Sequence, residues 1–321
     1  MDALGNCLLH LAAMMSDYKL IKLLVEKGAD VTSVGKDSRT PLHVACETKS
    51  LKIVKFLTEK SPACILQQLD SRMATVLDIA CRRSCPEIVQ FLLSQRSSVH
   101  RSHDFLSPGT LLQAVCNTPE HAIPIASLLL EAGVNTDCTG SYGKTALITA
   151  IGQFRGDEAK GIPLYQNHPR VELCTFLIDR GCDVNAADCF GKTALHLAVD
   201  VEQEILVQKL LFSGSHVDYR NNLGYTALYY ACKTGNQKII DLLINFGANL
   251  RVHDWENTFN SFDFQLRSEH QFSYVIQKSR HCFTLENLCL IAIRRNIKNL
   301  EKGAIDLGLP PLLLKRLQLK E

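Results

Sequence analysis

The motif TALHLAV, residues 193–199, is the main indication of the fold of this 321-residue chain, because variants of it recur along the sequence. The third residue of every copy is leucine, and successive leucines are separated by 33, 35, 35, 35, 48 and 33 residues. The leucines are Leu9, Leu42, Leu77, Leu112, Leu147, Leu195 and Leu228. A period near 33 residues predicts stacked helical repeats, each packed mainly against its neighbours.

Each copy is followed by a second apolar segment that usually ends in glycine, as in IKLLVEKG at residues 21–28. A threonine opens most copies, where its side chain can cap the free amides of a helix. Glycine suits the left-handed residue that ends a helix. These threonines are Thr40, Thr75, Thr110, Thr145, Thr193 and Thr226, and these glycines are Gly28, Gly133, Gly181, Gly214 and Gly247. Each unit is therefore predicted to be helix, turn, helix and loop.

This unit closely resembles the ankyrin repeat. The resemblance implies an all-α solenoid of about seven helix-turn-helix repeats over residues 1–250. In that family the motif histidine bonds locally and ties neighbouring loops together. We therefore interpret His10, His43 and His196 as structural rather than catalytic or metal-binding, and the fourth repeat has Gln113 at this position.

The composition argues against several classes of function. With 35 basic and 33 acidic residues, the net charge of +2 provides no field for nucleic-acid phosphates. The 13 cysteines are scattered without a CxxC pair, so we expect reduced, mostly buried thiols and no metal or other cofactor. No signal peptide and no apolar run of about 18–20 residues is present. The sequence thus predicts a protein of the cytoplasm, or also the nucleus, without a membrane segment.

The fifth repeat contains an insertion. Leu147 and Gly181 are 34 residues apart, whereas Leu9 and Gly28 in the first repeat are 19 apart. The extra residues fall near 153–170, a polar stretch that composition predicts to be a loop rather than a helix. Its glycines and prolines are Gly156, Gly161, Pro163 and Pro169. The insertion is either a tolerated surface loop or a loop that contacts a partner.

Residues 251–282 break the repeat pattern and are rich in aromatic side chains. Its aromatic residues are Trp255, Phe259, Phe262, Phe264, Phe272 and Tyr274. This content is too aromatic for a disordered segment. We predict either a degenerate eighth repeat or a packed connector that shields the end of the array.

The last segment, residues 283–321, begins with an amphipathic pattern. Its apolar stripe consists of Leu285, Leu288, Cys289, Ala292 and Ile293. Spacings of three and four residues predict a helix with one apolar face. A stripe of this kind is commonly a helix packed against its own protein.

The pattern Thr-Leu-x-x-x-Cys-x-x-x-Ile is more specific than a stripe and resembles the elongin-C-binding box of the SOCS-box family. The resemblance assigns elongin C contacts to Thr284, Leu285, Leu288, Cys289 and Ile293. Leu307-Gly308-Leu309-Pro310, which begins 18 residues after the box cysteine, is similar to the family's cullin box. Its usual form is Leu-Pro-Leu-Pro, so Leu307, Leu309 and Pro310 are assigned to a cullin, with cullin-5 expected. Gly308 departs from the family and removes a rigid proline.

The whole architecture resembles the ankyrin repeat and SOCS box family. The resemblance implies a non-catalytic adaptor that binds a substrate protein through its repeats and elongin B/C through its tail. A cullin with a RING protein would then supply ubiquitin transfer. The alternative is an ankyrin interaction scaffold whose C-terminal helix only caps the array.

For contacts with a substrate protein, the sequence offers candidates only at the tips of the loops. Phe105, Tyr142 and Phe190 are candidates there, and ordinary surface or packing roles are equally compatible with them. One further resemblance concerns Leu177-x5-Asp183-Val184-Asn185, a form in which ankyrin asparagines are substrates of an asparaginyl hydroxylase. It predicts hydroxylation of Asn185.

Overall fold

The computed structural model describes residues 6–95, 111–117, 120–159, 168–250 and 274–277. Within these ranges the regular elements are helices, and Ala187 and Thr193 form one isolated β-bridge. The prediction of an all-α repeat fold is confirmed. The chain divides into two compact units, Met1–Thr149 and Ala150–Glu321, which are described separately.

The first unit contains two layers of helices. Its helices are α1 (Leu8–Met14), α2 (Tyr18–Glu26), α3 (Pro41–Glu47), α4 (Leu51–Lys60), α5 (Val76–Arg82), α6 (Pro86–Ser94), α7 (Leu111–Cys116) and α8 (Ala122–Glu131). Helices α1, α3, α5 and α7 contact one another in succession, and α2, α4, α6 and α8 do the same. Each repeat therefore contributes one helix to each layer.

The second unit repeats this arrangement. Helix α9 (Ala146–Gly152) begins in the first unit and ends in the second. The others are α10 (Phe154–Ala159), α11 (Pro169–Asp179), α12 (Ala194–Asp200), α13 (Glu204–Phe212), α14 (Ala227–Thr234) and α15 (Gln237–Asn245). Helix α12 packs against α13 and α14, while α11, α13 and α15 contact one another in succession.

The motif leucines form the centre of the core. All seven have 1% of their surface exposed. Burying a leucine side chain contributes about 1.5–3 kcal/mol, so these positions supply a regular part of the stability of each repeat. The spacing of these leucines in the sequence therefore corresponds to the spacing of the central core positions in successive repeats.

Threonine caps at helix starts and glycines at helix ends occur as the sequence predicts. The hydroxyl of Thr40 accepts a bond from the amide of His43, and that of Thr226 accepts one from Tyr229. Five of the second helices, α2, α8, α11, α13 and α15, end at glycines in the left-handed region, with φ of 87° at Gly28, 90° at Gly133, 83° at Gly181, 88° at Gly214 and 86° at Gly247. A side chain at such a φ is strained, which explains glycine here.

The prediction that residues 153–170 form only a loop is wrong at both ends of this stretch. Phe154–Ala159 is helix α10, and α11 begins at Pro169. Phe154 is fully buried, and the buried Asp157 carboxylate is paired with the guanidinium of Arg170. Residue composition alone could not reveal these contacts, because Asp157 and Arg170 are paired across 13 positions of sequence.

Candidate protein-binding surface

Two loops between repeats of the second unit are each held in shape by one polar side chain. In the sixth repeat, Oδ1 of Asp188 accepts bonds from the amides of Phe190 at 2.9 Å and Lys192 at 2.8 Å. In the seventh repeat, Oδ1 of Asn221 accepts bonds from the amides of Leu223 and Tyr225, both at 3.0 Å. Such side-chain bonds to nearby amides fix a turn. The two loop tips are therefore ordered by the chain itself.

The two tips are also bonded to each other. The amide of Asn222 donates to the carbonyl of Phe190 at 3.0 Å, and its side-chain Nδ2 donates to that of Cys189 at 2.9 Å. Between them Gly191 has a φ of +71°, and a Cβ placed there would lie 2.5 Å from Oδ1 of Asn222. Only glycine permits this close approach.

Phe190 and Leu223 project from these bonded loops, and we name the two residues the tip surface. Their exposed fractions are 56% and 73%, respectively. Large apolar side chains on a preorganised backbone are suited to protein binding, because little backbone freedom is lost on association. Phe190 was predicted from the sequence as a contact residue, whereas Leu223 was not. Its position directly before the loop glycine, as in Phe190-Gly191, was the available signal.

Tyr142 occupies the same place in the fifth repeat, directly before Gly143. Its side chain is 68% exposed, and its φ of 60° lies in the left-handed region. Tyr142 belongs to the first unit, whereas the tip surface belongs to the second. Phe105, the remaining aromatic candidate, lies outside the described residues.

The motif histidines join neighbouring repeats. His196 Nε2 donates to the carbonyl of Tyr225 at 3.1 Å, and His43 Nε2 donates to that of Gln68 at 3.2 Å. On the other side of each ring, Nδ1 contacts the hydroxyl of Thr193 or Thr40, at 2.9 and 2.8 Å. Since a carbonyl can only accept, Nε2 carries the ring proton and Nδ1 accepts.

Burial lowers the pKa of both His43 and His196. Both rings are therefore neutral near pH 7 and fully occupied by structural bonds, as the sequence interpretation expected. Gln113 replaces the histidine in the fourth repeat, and its amide Nε2 donates to the carbonyl of Lys144. In the fourth repeat a neutral amide therefore makes the bond to the next loop that a histidine makes in the second and sixth repeats.

Asn185 lies in the loop before the sixth repeat and is engaged at both ends of its amide. Oδ1 accepts from the amide of His216 at 2.7 Å, and Nδ2 donates to the carbonyl of Gly214 at 3.1 Å. The side chain thus links two successive loops. Its hydroxylation stays a prediction.

Past the array, one described helical turn at residues 274–277 contacts the last repeat. The phenol of Tyr274 donates to Oδ1 of Asp241 on α15 at 2.7 Å, and Val275 is fully buried. Burial, with this bond to a carboxylate, raises the pKa of Tyr274 to about 12. The nature of residues 251–282 as a whole stays a prediction.

The predicted tail sites lie outside the described residues. They are the elongin C positions Thr284, Leu285, Leu288, Cys289 and Ile293, and the cullin positions Leu307, Leu309 and Pro310. Within the described ranges, no cluster of three potential metal ligands occurs. In the same ranges, no helix has the length and apolar character needed to cross a bilayer.

Comparison with known proteins identifies the repeats. A family profile described as ankyrin repeats (3 copies) matches residues 9–104 and 164–254, more than half of the chain. The chain is 28% identical over 271 residues to ankyrin repeat protein FPV022 of fowlpox virus, covering 70% of this chain and 44% of that protein. It is 26% identical over 192 residues to the mouse B-cell lymphoma 3 protein homolog, covering 59% and 39%. The chain thus spans less than half the length of these curated relatives.

Among solved structures, the ankyrin repeat domain of human ASB11 has a similar fold. The TM-score is 0.62 at 21% sequence identity, covering 74% of this chain and 97% of that domain. At this identity the likeness concerns the fold alone.

Proposed function

Because the chain belongs to the ankyrin-repeat family, whose members are in general non-catalytic interaction scaffolds, we propose that it is a substrate-recognition adaptor of an elongin B/C–cullin–RING ubiquitin ligase. The repeats would bind a target protein, and the C-terminal segment would bind elongin C. The observation that carries the binding role is the tip surface, Phe190 and Leu223, which is exposed on loops that hydrogen-bond to each other.

The ligase part of the proposal rests on the order of the tail motifs. Thr284–Ile293 has the spacing of an elongin C box, and Leu307–Pro310 follows it in the position of a cullin box. Both lie after an ankyrin array, as in the ankyrin repeat and SOCS box family. Elongin binding is better supported than cullin binding, because Gly308 replaces a proline of the cullin motif.

The adaptor would act by position rather than by chemistry. Holding a lysine of the target near a ubiquitin-charged enzyme raises the effective concentration of the two reactants. The adaptor itself then needs no nucleophile, no paired carboxylates and no cofactor.

The test compares variants of the C-terminal segment with variants of the repeats. Each is affinity-purified from cells in which protein degradation is blocked. Leu285→Ala should reduce recovery of elongin C, since removing a leucine from the centre of a pocket costs about 2 kcal/mol or more, which is roughly thirtyfold in affinity. The double variant Phe190→Ser/Leu223→Ser should keep elongin C and lose target proteins. Leu8→Ser, which removes a leucine that is 67% exposed on α1, is the matched control and should keep both.

Undiminished recovery of elongin C by Leu285→Ala would contradict the adaptor. A second candidate, an ankyrin scaffold without a ligase, remains in that case. It predicts that recovery of target proteins depends on Phe190 and Leu223, although the preparations contain no elongin C. It also predicts that the levels of these target proteins do not rise when degradation is blocked.

A further inference from the structure

The first repeat differs from the others in the atom that contacts its motif histidine. Cys7 stands where Thr40 and Thr193 stand in the second and sixth repeats, and its Sγ lies 3.0 Å from Nδ1 of His10. The two threonines place a hydroxyl at 2.8 and 2.9 Å from the same ring nitrogen of their histidines. The capping box is kept in the first repeat, but a thiol replaces the hydroxyl beside the ring nitrogen.

The orientation of His10 determines how this pair can react. Nε2 lies 2.9 Å from the carbonyl of Arg39 and must donate to it, so Nδ1 of the neutral ring is the accepting nitrogen. Nδ1 accepts from the amide of Cys7 at 3.3 Å and, as the nearest acceptor to Sγ at 3.0 Å, also from the thiol. The hydroxyl of Ser33, 3.1 Å from Sγ, is left to donate to the sulfur. A nucleophile, a base and a third group that orients the base are the components of an activated thiol.

Accessibility separates Cys7 from the capping threonines and from the core cysteines. Thr40 and Thr193 are 0% and 3% exposed, whereas Cys7 is partly exposed. Cys46 and Cys81 are buried, and burial raises the pKa of both thiols, so they stay protonated and enclosed. Cys7 is thus a partly exposed cysteine whose sulfur lies beside a ring nitrogen.

We propose that Cys7 is a reactive thiol that forms mixed disulfides with low-molecular-weight disulfides, with His10 as the general base. Sγ attacks one sulfur of the reagent while its proton passes to Nδ1 of His10. The new S–S bond forms as the old one breaks, and the leaving thiolate takes the proton back from Nδ1. The products are a disulfide at Cys7, a free small thiol and a neutral His10, so no further oxidant is needed.

The adduct would change the first repeat locally. Sγ no longer carries a proton for Nδ1, and the attached group must extend outward because Cys7 is only partly exposed. The bond from Nε2 to Arg39, which joins the first repeat to the second, does not involve the sulfur. The modification therefore loosens the start of α1 without removing the link between repeats.

The experiment measures initial rates of adduct formation at each cysteine of the full chain, using oxidised glutathione, acid quenching and peptide mass spectrometry. Cys64 and Cys189 are internal references, because both are exposed and, among the described residues, neither is bonded to a histidine. General-base assistance typically contributes about a hundredfold or more, and partial exposure offsets some of it, so we expect Cys7 to react at least about tenfold faster. A Cys7 rate at or below that of both references overturns the proposal.

The matched variant is His10→Gln, which keeps a donor for Arg39 as Gln113 does for Lys144 but removes the base. Its Cys7 rate should fall at least about tenfold, to the level of Cys64 and Cys189. Labelling of buried Cys46 reports unfolding of the variant. If His10→Gln unfolds, Ser33→Ala tests the same site, because loss of the hydroxyl donor should slow Cys7 without affecting Cys64. An unchanged Cys7 rate in the folded variant contradicts the assignment of His10, and an unchanged rate in Ser33→Ala contradicts that of Ser33.

Discussion

At the residue scale, the motif histidine acts as a connector between repeats. His196 contacts Thr193 within its own repeat and the carbonyl of Tyr225 in the next. Gln113 makes the equivalent bond to Lys144 without an imidazole. In these two repeats the side chain supplies reach and a hydrogen-bond donor, and the receiving carbonyl would lose its bond without them.

Replacing His196 should distinguish this requirement from simple packing. His196→Ala leaves the carbonyl of Tyr225 without its donor and creates a cavity, so we expect a loss of about 2–3 kcal/mol in the free energy of unfolding. His196→Gln keeps a donor of similar reach and should lose less than about 1.5 kcal/mol. Urea denaturation of the two variants measures the difference, and equal losses would show that the bond to Tyr225 contributes nothing.

At the element scale, the ends of the second helices depend on backbone conformation. Gly181 follows α11 with a φ of +83°, whereas Gly152 is the last residue of α9, and a Cβ at either position would meet nothing within 4 Å. Gly181→Ala should therefore destabilise the protein by about 1 kcal/mol through strain alone. Gly152→Ala should stabilise it by about 0.5 kcal/mol, since alanine favours a helix. Thermal unfolding of both variants tests the pair, and shifts of the same sign would contradict it.

Helix α10 offers a second comparison between neighbouring residues. Phe154 is fully buried, so Phe154→Ala should cost about 3–5 kcal/mol. Arg155 pairs with Asp200 at 2.6 Å, but its side chain is 63% exposed, so Arg155→Ala should cost less than about 1 kcal/mol. Urea denaturation measures both values. A negligible loss for Phe154→Ala would mean that α10 is dispensable, as expected of a loop.

The elements that the sequence predicted well are those with a local signal. Threonine caps and terminal glycines act within one repeat, so each can be recognised from a few residues, and the leucine period follows from the recurrence of one short motif. Helix α10 was missed because the pairing of Asp157 with Arg170 spans the insertion. The tip surface was only half predicted. Leu223 was not predicted, because the bond from Asn222 that joins its loop to that of Phe190 connects distant parts of the sequence.

At the scale of the whole molecule, a buried motif histidine bonds to the next loop in each of the two units. The effects of protonating these histidines on the free energy of unfolding therefore add. His43 in the first unit and His196 in the second are both buried, and burial lowers the pKa of each below the ordinary value of about 6.5. Below that value the unfolded chain binds protons that the folded chain does not. The stabilisation is therefore complete above about pH 6.5 and declines as the pH falls.

We expect the free energy of unfolding to fall as the pH is lowered from about 7.5 to 5.5, with each such histidine contributing up to about 1.4 kcal/mol per pH unit. Urea denaturation across this range measures the slope. In the double variant His43→Gln/His196→Gln, a donor remains for both receiving carbonyls but neither side chain titrates, so the curve should be flatter although the fold is kept. A slope equal to that of the unaltered protein would mean that other groups cause the pH dependence and that these two rings do not resist protonation in the folded array.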